Sequence, residues 1–144
     1  MGTDVVMPDV ELWACGYLKT ALAARPEAFA NAYVGIKVPQ LRQSRMVVVR
    51  RDGGPRLDTV REAARLSVNV WAPTDLECAN LARLVRALLW QAADGDPVCR
   101  VSDLSGPSSV ADESEVPRRF FSVELIVRGT SLPADLGPSS SSSS

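Results

Sequence analysis

Ala63-Ala64-Arg65-Leu66-Ser67-Val68-Asn69-Val70-Trp71 and, after Ala72-Pro73-Thr74, Asp75-Leu76-Glu77-Cys78-Ala79-Asn80-Leu81-Ala82 change period across one short break. In the first stretch Leu66, Val68 and Val70 alternate with Ser67 and Asn69, the pattern of a strand with one face buried. In the second, Cys78, Leu81, Ala82, Val85, Leu88, Leu89 and Ala92 recur at helical spacing, with Glu77, Asn80, Arg83 and Arg86 on the other side, predicting a helix over Asp75 to Ala93. Thr74 and Glu77 have capping-box spacing: the threonine hydroxyl would accept a first-turn N–H and Glu77 would reach back to Thr74. A strand leading into a capped amphipathic helix sets the fold class as α+β.

Working backward, Met46-Val47-Val48-Val49 is a β-branched run followed by Arg50-Arg51-Asp52-Gly53-Gly54. Asp-Gly-Gly tolerates positive φ and reads as a turn, so Met46 to Val49 pairs with Ala63 to Trp71 in a hairpin with an extended tip. Val34 to Val38 is a weaker extended run. Pro8 to Ala24 reads as a first helix capped by Asp9, with Val10, Trp13, Ala14, Tyr17, Leu18, Ala21 and Leu22 as its stripe.

Working forward, Val98 to Val101 is a short strand and Phe120 to Arg128 a long one. Its Phe121, Val123, Leu125 and Val127 face one way, and Ser122, Glu124, Ile126 and Arg128 the other. A loop rich in serine, proline and acid, Ser102 to Pro117, is expected between them. The expected architecture is an antiparallel or mixed sheet of about four to five strands with two main helices packed on it. Residues 1–131 form one domain, and 132–144, ending in six serines, a flexible tail.

The 144 residues include no histidine, which removes Ser-His-Asp and Cys-His catalysis and histidine-ligated zinc. Cys15, Cys78 and Cys99 are odd in number and form no Cys-x-x-Cys pair, so buried, reduced thiols are expected. Asp94/Asp96 and Asp112/Glu113/Glu115 read as solvated loop acids, without the spacing of a calcium loop. There is no phosphate-binding glycine loop and no nucleophile elbow. No catalytic residue, metal or cofactor is expected. Tyr17, Tyr33, Arg118 and Arg119 are the loose candidates for a small-molecule pocket. No basic residue precedes an apolar run near the first residues, and no apolar stretch is long enough to span a bilayer, so a soluble intracellular chain without membrane partners is expected.

The net charge of −1 conceals segregation along the chain. Val34 to Arg61 carries +5, and Asp94 to Pro117 carries −5. Arg42, Arg45, Arg50, Arg51 and Arg56 on one side, with Asp103, Asp112, Glu113 and Glu115 on the other, are candidates for a subunit or docking interface of head-to-tail type. Intramolecular pairing or plain solvation of both segments accounts for the same pattern. A nucleic-acid role for Arg42, Arg45, Arg50 and Arg51 is a third reading, weakened because no aromatic residue lies between Val34 and Val70.

From about Arg45 to Gly129 the chain resembles the tail terminator, or tail completion, proteins of long-tailed bacteriophages with non-contractile tails. The residues that carry the likeness are the Leu66-to-Ala72 strand, then Thr74 and the helix through Ala79, Ala82, Val85 and Leu88. Ser105-Gly106-Pro107 and the Arg119-to-Gly129 strand complete it. The resemblance implies a non-enzymatic virion protein that forms a ring, hexameric in that family, on the head-proximal end of the tail tube. Such a ring ends tube polymerisation and offers a joining surface to the neck, and DNA passes through its lumen without sequence-specific binding. The implied partners are further copies of the chain, the tail tube protein and a head-completion (stopper) protein. The implied location is the virion tail, with the host cytoplasm during assembly. Another neck protein, a stopper or connector, and a small cytosolic binding module are the alternatives. The hairpin tip and the 102–117 segment are the expected docking surfaces.

Overall fold

A computed structural model describes residues 5–131; the first four residues and the serine-rich segment from 132 onward lie outside it. In chain order the elements are β1 (Val5–Val6), α1 (Val10–Ala23), a 3-10 turn (Ala28–Ala30), β2 (Tyr33–Gly35), β3 (Met46–Arg51), β4 (Arg61–Trp71), α2 (Asp75–Gln91), β5 (Val98–Val110), β6 (Arg118–Arg128) and β7 (Thr130–Ser131). β2 to β6 form a mixed five-stranded sheet in the order β2-β3-β4-β6-β5, and β1 pairs with β7 separately. Only β2 and β3 run parallel within the large sheet. β4 and β5 are both antiparallel to the intervening β6, and α2 makes the crossover that such a parallel relation requires. The class is α+β, with two helices on about five strands.

Both helices pack on one side of the sheet. Val47 and Val49 of β3, Leu66, Val68 and Val70 of β4, and Phe121, Val123, Leu125 and Val127 of β6 join Ala14, Leu18, Leu22, Cys78, Leu81, Val85 and Leu89 in one buried cluster. The helix starts are fixed locally. The Asp9 carboxylate accepts from the Leu12 N–H, and the Thr74 hydroxyl accepts from the Glu77 N–H. The capping box at Thr74 is half made: the Glu77 carboxylate accepts from Arg45 Nε at 2.8 Å instead of reaching back, because the loop before β3 brings a cation to it.

Three sequence expectations need correction. First, β5 runs from Val98 to Val110, so most of the expected 102–117 loop is strand. The segment lacks strand propensity but pairs with β6 along its length, with register shifts after Val98, Asp103 and Ser105. It is an edge strand, which is where a sheet admits proline and bulges. Gly106 has φ of +74°, and a Cβ there would lie 2.3 Å from the Phe120 carbonyl oxygen, so only glycine fits.

Second, the β3–β4 hairpin does not reverse at Asp52-Gly53-Gly54. The Arg65 N–H donates to Gly53 O and the Ala63 N–H to Pro55 O. Arg51 faces Leu66, whereas Arg56 faces Glu62, so one strand carries one residue more between these pairs and the glycines form a bulge. The reversal comes at Asp58, whose Oδ1 accepts from the Val60 and Arg61 N–H groups at 3.0 and 2.8 Å. β4 consequently begins two residues earlier than expected. Third, Cys99 is half-buried, whereas Cys15 and Cys78 are buried; all three thiols are free.

Candidate interaction surface

Strand pairing assigns each side chain to a face, because residues directly opposite across a ladder point the same way. On the helix side the charges are matched. Arg51 meets Glu62 at 2.9 Å, Arg119 meets Asp75 at 3.2 Å, and Arg45 meets Glu77 at 2.8 Å. Asp103 is gripped by both the Arg86 guanidinium, at 3.0 and 2.6 Å, and the Trp90 indole N–H, at 3.0 Å. The Arg86 hydrogen bonds come first in holding the Asp103 carboxyl below the usual carboxylate range, with Trp90 assisting.

Among the described residues the opposite side of the sheet carries no helix. At one end Met46, Val48 and Trp71 form a small separate core, against which Tyr33, Val38 and Val116 pack. Trp71 is only 5% exposed, and the Arg42 and Arg118 guanidinium carbons lie 5.7 and 5.5 Å from its ring centroid. Arg118 donates twice to Asn69 Oδ1, at 2.9 and 2.7 Å, and sits 3.6 Å from Asp112. The Asp112 carboxyl is held low first by the Ser114 hydroxyl, which donates to it, and then by further donors and the Arg118 charge. The Trp71 indole N–H lies toward Asp112 but makes no hydrogen bond of normal geometry.

Beyond that cluster the open face is polar and rich in arginine. The pairings place Arg50 opposite Ser67 and Ser67 opposite Ser122, Arg65 opposite Glu124, Ala63 opposite Ile126, Arg100 opposite Ile126, and Arg61 opposite Arg128. Together with Arg118, six arginines from four strands share this face, and Glu124 is the one acid among its strand positions.

The nine residues singled out from charge segregation do not form two opposed patches. Arg42 and Glu115, from the basic and the acidic segment, line one groove of about 400 Å³ with Met46, Pro73 and Val116. Neighbouring arginines also part company: Arg51 joins Glu62 on the helix side, while Arg50 wraps to Glu11 at 3.5 Å. Arg45, Arg50, Arg51, Asp103 and Asp112 are all in ion pairs within the chain. Arg56 donates to the Asp58 and Thr59 carbonyl oxygens at the hairpin tip. Glu113 and Glu115 lie in the turn before β6 with no ion pair among the described residues. The physical reason is strand alternation: charges adjacent in sequence go to opposite faces, and pairing brings together charges distant in sequence.

Tyr17, Tyr33, Arg118 and Arg119 do not converge on a pocket. The Tyr17 hydroxyl donates to Leu88 O between the helices, and the Tyr33 hydroxyl to Lys37 O in the loop after β2. Arg118 and Arg119 point to opposite faces, toward Asn69 and Asp75 respectively. Burial raises the Cys15 thiol pKa and pushes that of Cys78 up to about 11, so neither is a thiolate near neutral pH. Among the described residues no cluster of three or more Cys, Asp or Glu side chains is arranged to hold a metal ion, and no helix is long and apolar enough to cross a membrane.

Charge counting included Arg61 and Arg100 without singling them out, and it passed over Arg65, Arg118, Arg128, Phe120 and Trp71. The alternation of β6 already places Ser122, Glu124, Ile126 and Arg128 together; the register that sets Arg128 against Arg61 has no sequence signal. No family model matches the chain, and no curated protein matches it.

Proposed function

We propose that the chain is a structural virion protein that forms a ring, six-membered on the family resemblance, capping a phage tail tube. In this reading the ring ends tube polymerisation and provides the head–tail joining surface, with further copies, the tube protein and a stopper protein as partners, and it has no catalytic role. The observation that carries the reading is that Arg45 to Gly129, the stretch bearing the resemblance, folds as one continuous unit of hairpin, helix and hairpin. Exposed aliphatic side chains on and beside this unit support a contact role: Leu57 and Val60 on the β3–β4 tip, Leu104 on β5 and, just ahead of the unit, Leu41 in the loop before β3 are between 42% and 80% exposed.

The test is twofold. Light scattering and negative-stain images of the purified full chain are expected to show a six-fold ring; a monomer at all concentrations up to those of assembly rejects the reading. Tails assembled without the protein are expected to be overlong. Tails of normal length that fail to join heads assign the chain to a stopper or connector instead.

A further inference from the structure

We propose that the open face of the five-stranded sheet binds the phosphodiester backbone of a nucleic-acid strand. The arginines at its hairpin end are the phosphate ligands, and Phe120 is a stacking platform. The inference stands on the face of a single chain and does not rest on the ring reading.

The argument begins with a misfit. Arg61 and Arg128 are direct cross-strand partners, an arrangement that destabilises a sheet because the like charges lie side by side. Arg100 is opposite Ile126, one same-face step from Arg128, and adds a third guanidinium to the same corner. Only Arg61 has a carboxylate at hand, Asp58 at 2.8 Å; Arg100 and Arg128 form no ion pair among the described residues. On the helix side of the same sheet, Arg51 and Arg119 each have an acid. Elsewhere on the open face Arg65 meets Glu124 at 3.2 Å and Arg118 lies 3.6 Å from Asp112, so the unmatched charge is confined to the corner of Arg61, Arg100 and Arg128, where an external anion would remove its electrostatic cost.

The chemistry of the face favours phosphate on an extended strand. Guanidinium groups present a planar fork that fits phosphate oxygens. Between the arginines lie small hydroxyl residues, Ser67, Ser122 and Ser105, in one row across β4, β6 and β5, so a backbone can approach closely. Phe120 is half-buried on this face opposite Asn69, leaving part of its ring for a base. The basic segment of the sequence contains no aromatic residue, and the fold supplies one from a distant strand. From Arg61 to Trp71 the face extends about 33 Å, long enough for several phosphates.

The test uses the full chain, a fluorescent 20-nucleotide oligothymidine and a matching duplex, read by anisotropy. Three arginine–phosphate contacts predict a slope of log affinity on log salt of about −2, hence about a twentyfold loss between 50 and 200 mM salt. Replacing Arg61, Arg100 and Arg128 together by serine is expected to cost at least tenfold in affinity at 50 mM salt and to flatten the slope. Phe120→Ala is expected to cost about tenfold while leaving the slope unchanged. Arg83→Ser, on the outer side of α2, is expected to change neither. If the triple variant does not fold by circular dichroism, Arg128→Ser alone decides, through a loss of about threefold and a slope shallower by about 0.7. Absence of binding by the unaltered chain at 50 mM salt overturns the proposal. So does a folded triple variant that binds within twofold of it. Competition by polyglutamate as effective as that by unlabelled oligothymidine also overturns it, assigning the face to an acidic polypeptide.

Discussion

Two residues adjacent in β6 meet opposite surroundings. Phe121 points into the layer between sheet and helices and is fully buried; Phe120 points to the open face and keeps part of its ring exposed. The same division runs along every strand. The helix side holds aliphatic residues in continuous contact, with its few charges in pairs at the margins. The open side holds a three-residue core at one end and, over the rest, mainly serines and arginines, with Phe120, Ile126 and the Arg65–Glu124 pair among them. One face is therefore where folding free energy is gained, and the other is where the chain accepts unfavourable neighbours. Local departures from good packing and charge matching mark surfaces kept for something other than stability.

The comparison is broken most directly by the two phenylalanines. Phe121→Ala removes a side chain from the centre of the main core and is expected to destabilise by about 3–5 kcal/mol, as large-to-small changes of buried aromatics do. Phe120→Ala is expected to cost roughly 1 kcal/mol, because half-buried area is lost without an enclosed cavity. Urea denaturation with equal slopes for both variants gives the two numbers. If they are equal, the open face is not open in solution, and a partner or the chain's own terminal segments cover it.

A smaller effect separates helix anchoring from sheet packing. Thr74→Ala removes the oxygen that accepts the Glu77 N–H and is expected to cost about 1 kcal/mol. Because Glu77 is engaged with Arg45, it does not compensate. Serine at the same position is expected to recover most of the loss, since the hydroxyl alone does the capping. A variant with unchanged stability would show that sheet contacts alone hold α2 in place.

How far these features could be read from the sequence depends on whether they are local. The helices were legible to within a few residues, because Asp9 and Thr74 cap them and the apolar spacing repeats. β4 and β6 were legible from the alternation of Leu66, Val68 and Val70 and of Phe121, Val123, Leu125 and Val127. β5 was legible only over Val98 to Val101: serine, glycine and proline in 102–110 favour loops, and only β6 alongside makes that segment a strand. The hairpin reversal was misplaced because Gly53-Gly54 gives a strong turn signal, while the Asp58 carboxylate that makes the turn is a commonplace acid in sequence. The charged surface was least legible, since alternation and register together regroup the arginines. Arg61 and Arg128 are 67 positions apart in sequence and partners in the sheet.

The smallest effect tests whether charge matching on the helix side stabilises at all. The folded-state pKa of Asp103 is lowered, chiefly by the Arg86 hydrogen bonds. A lowered carboxylate pKa gives stability that is complete above the unfolded value, about 3.9, and is lost as pH falls through the folded value. Asp103→Asn is therefore expected to lower stability at pH 7 and to flatten the acid limb below about pH 4. Both partners are more than a third exposed, with side chains at 38% and 35%, so solvent screening limits the loss to within about 1 kcal/mol. Arg86→Gln in the same background is expected to add little, because its partner charge is already gone. Denaturation from pH 7 to 3, repeated at high salt, reads the difference. Parallel acid limbs for the two proteins would mean that this pair, like many exposed pairs, contributes nothing, and that matching on the helix side only avoids repulsion. The contrast between the faces would then narrow to one corner, where Arg61, Arg100 and Arg128 carry a repulsion the rest of the molecule avoids.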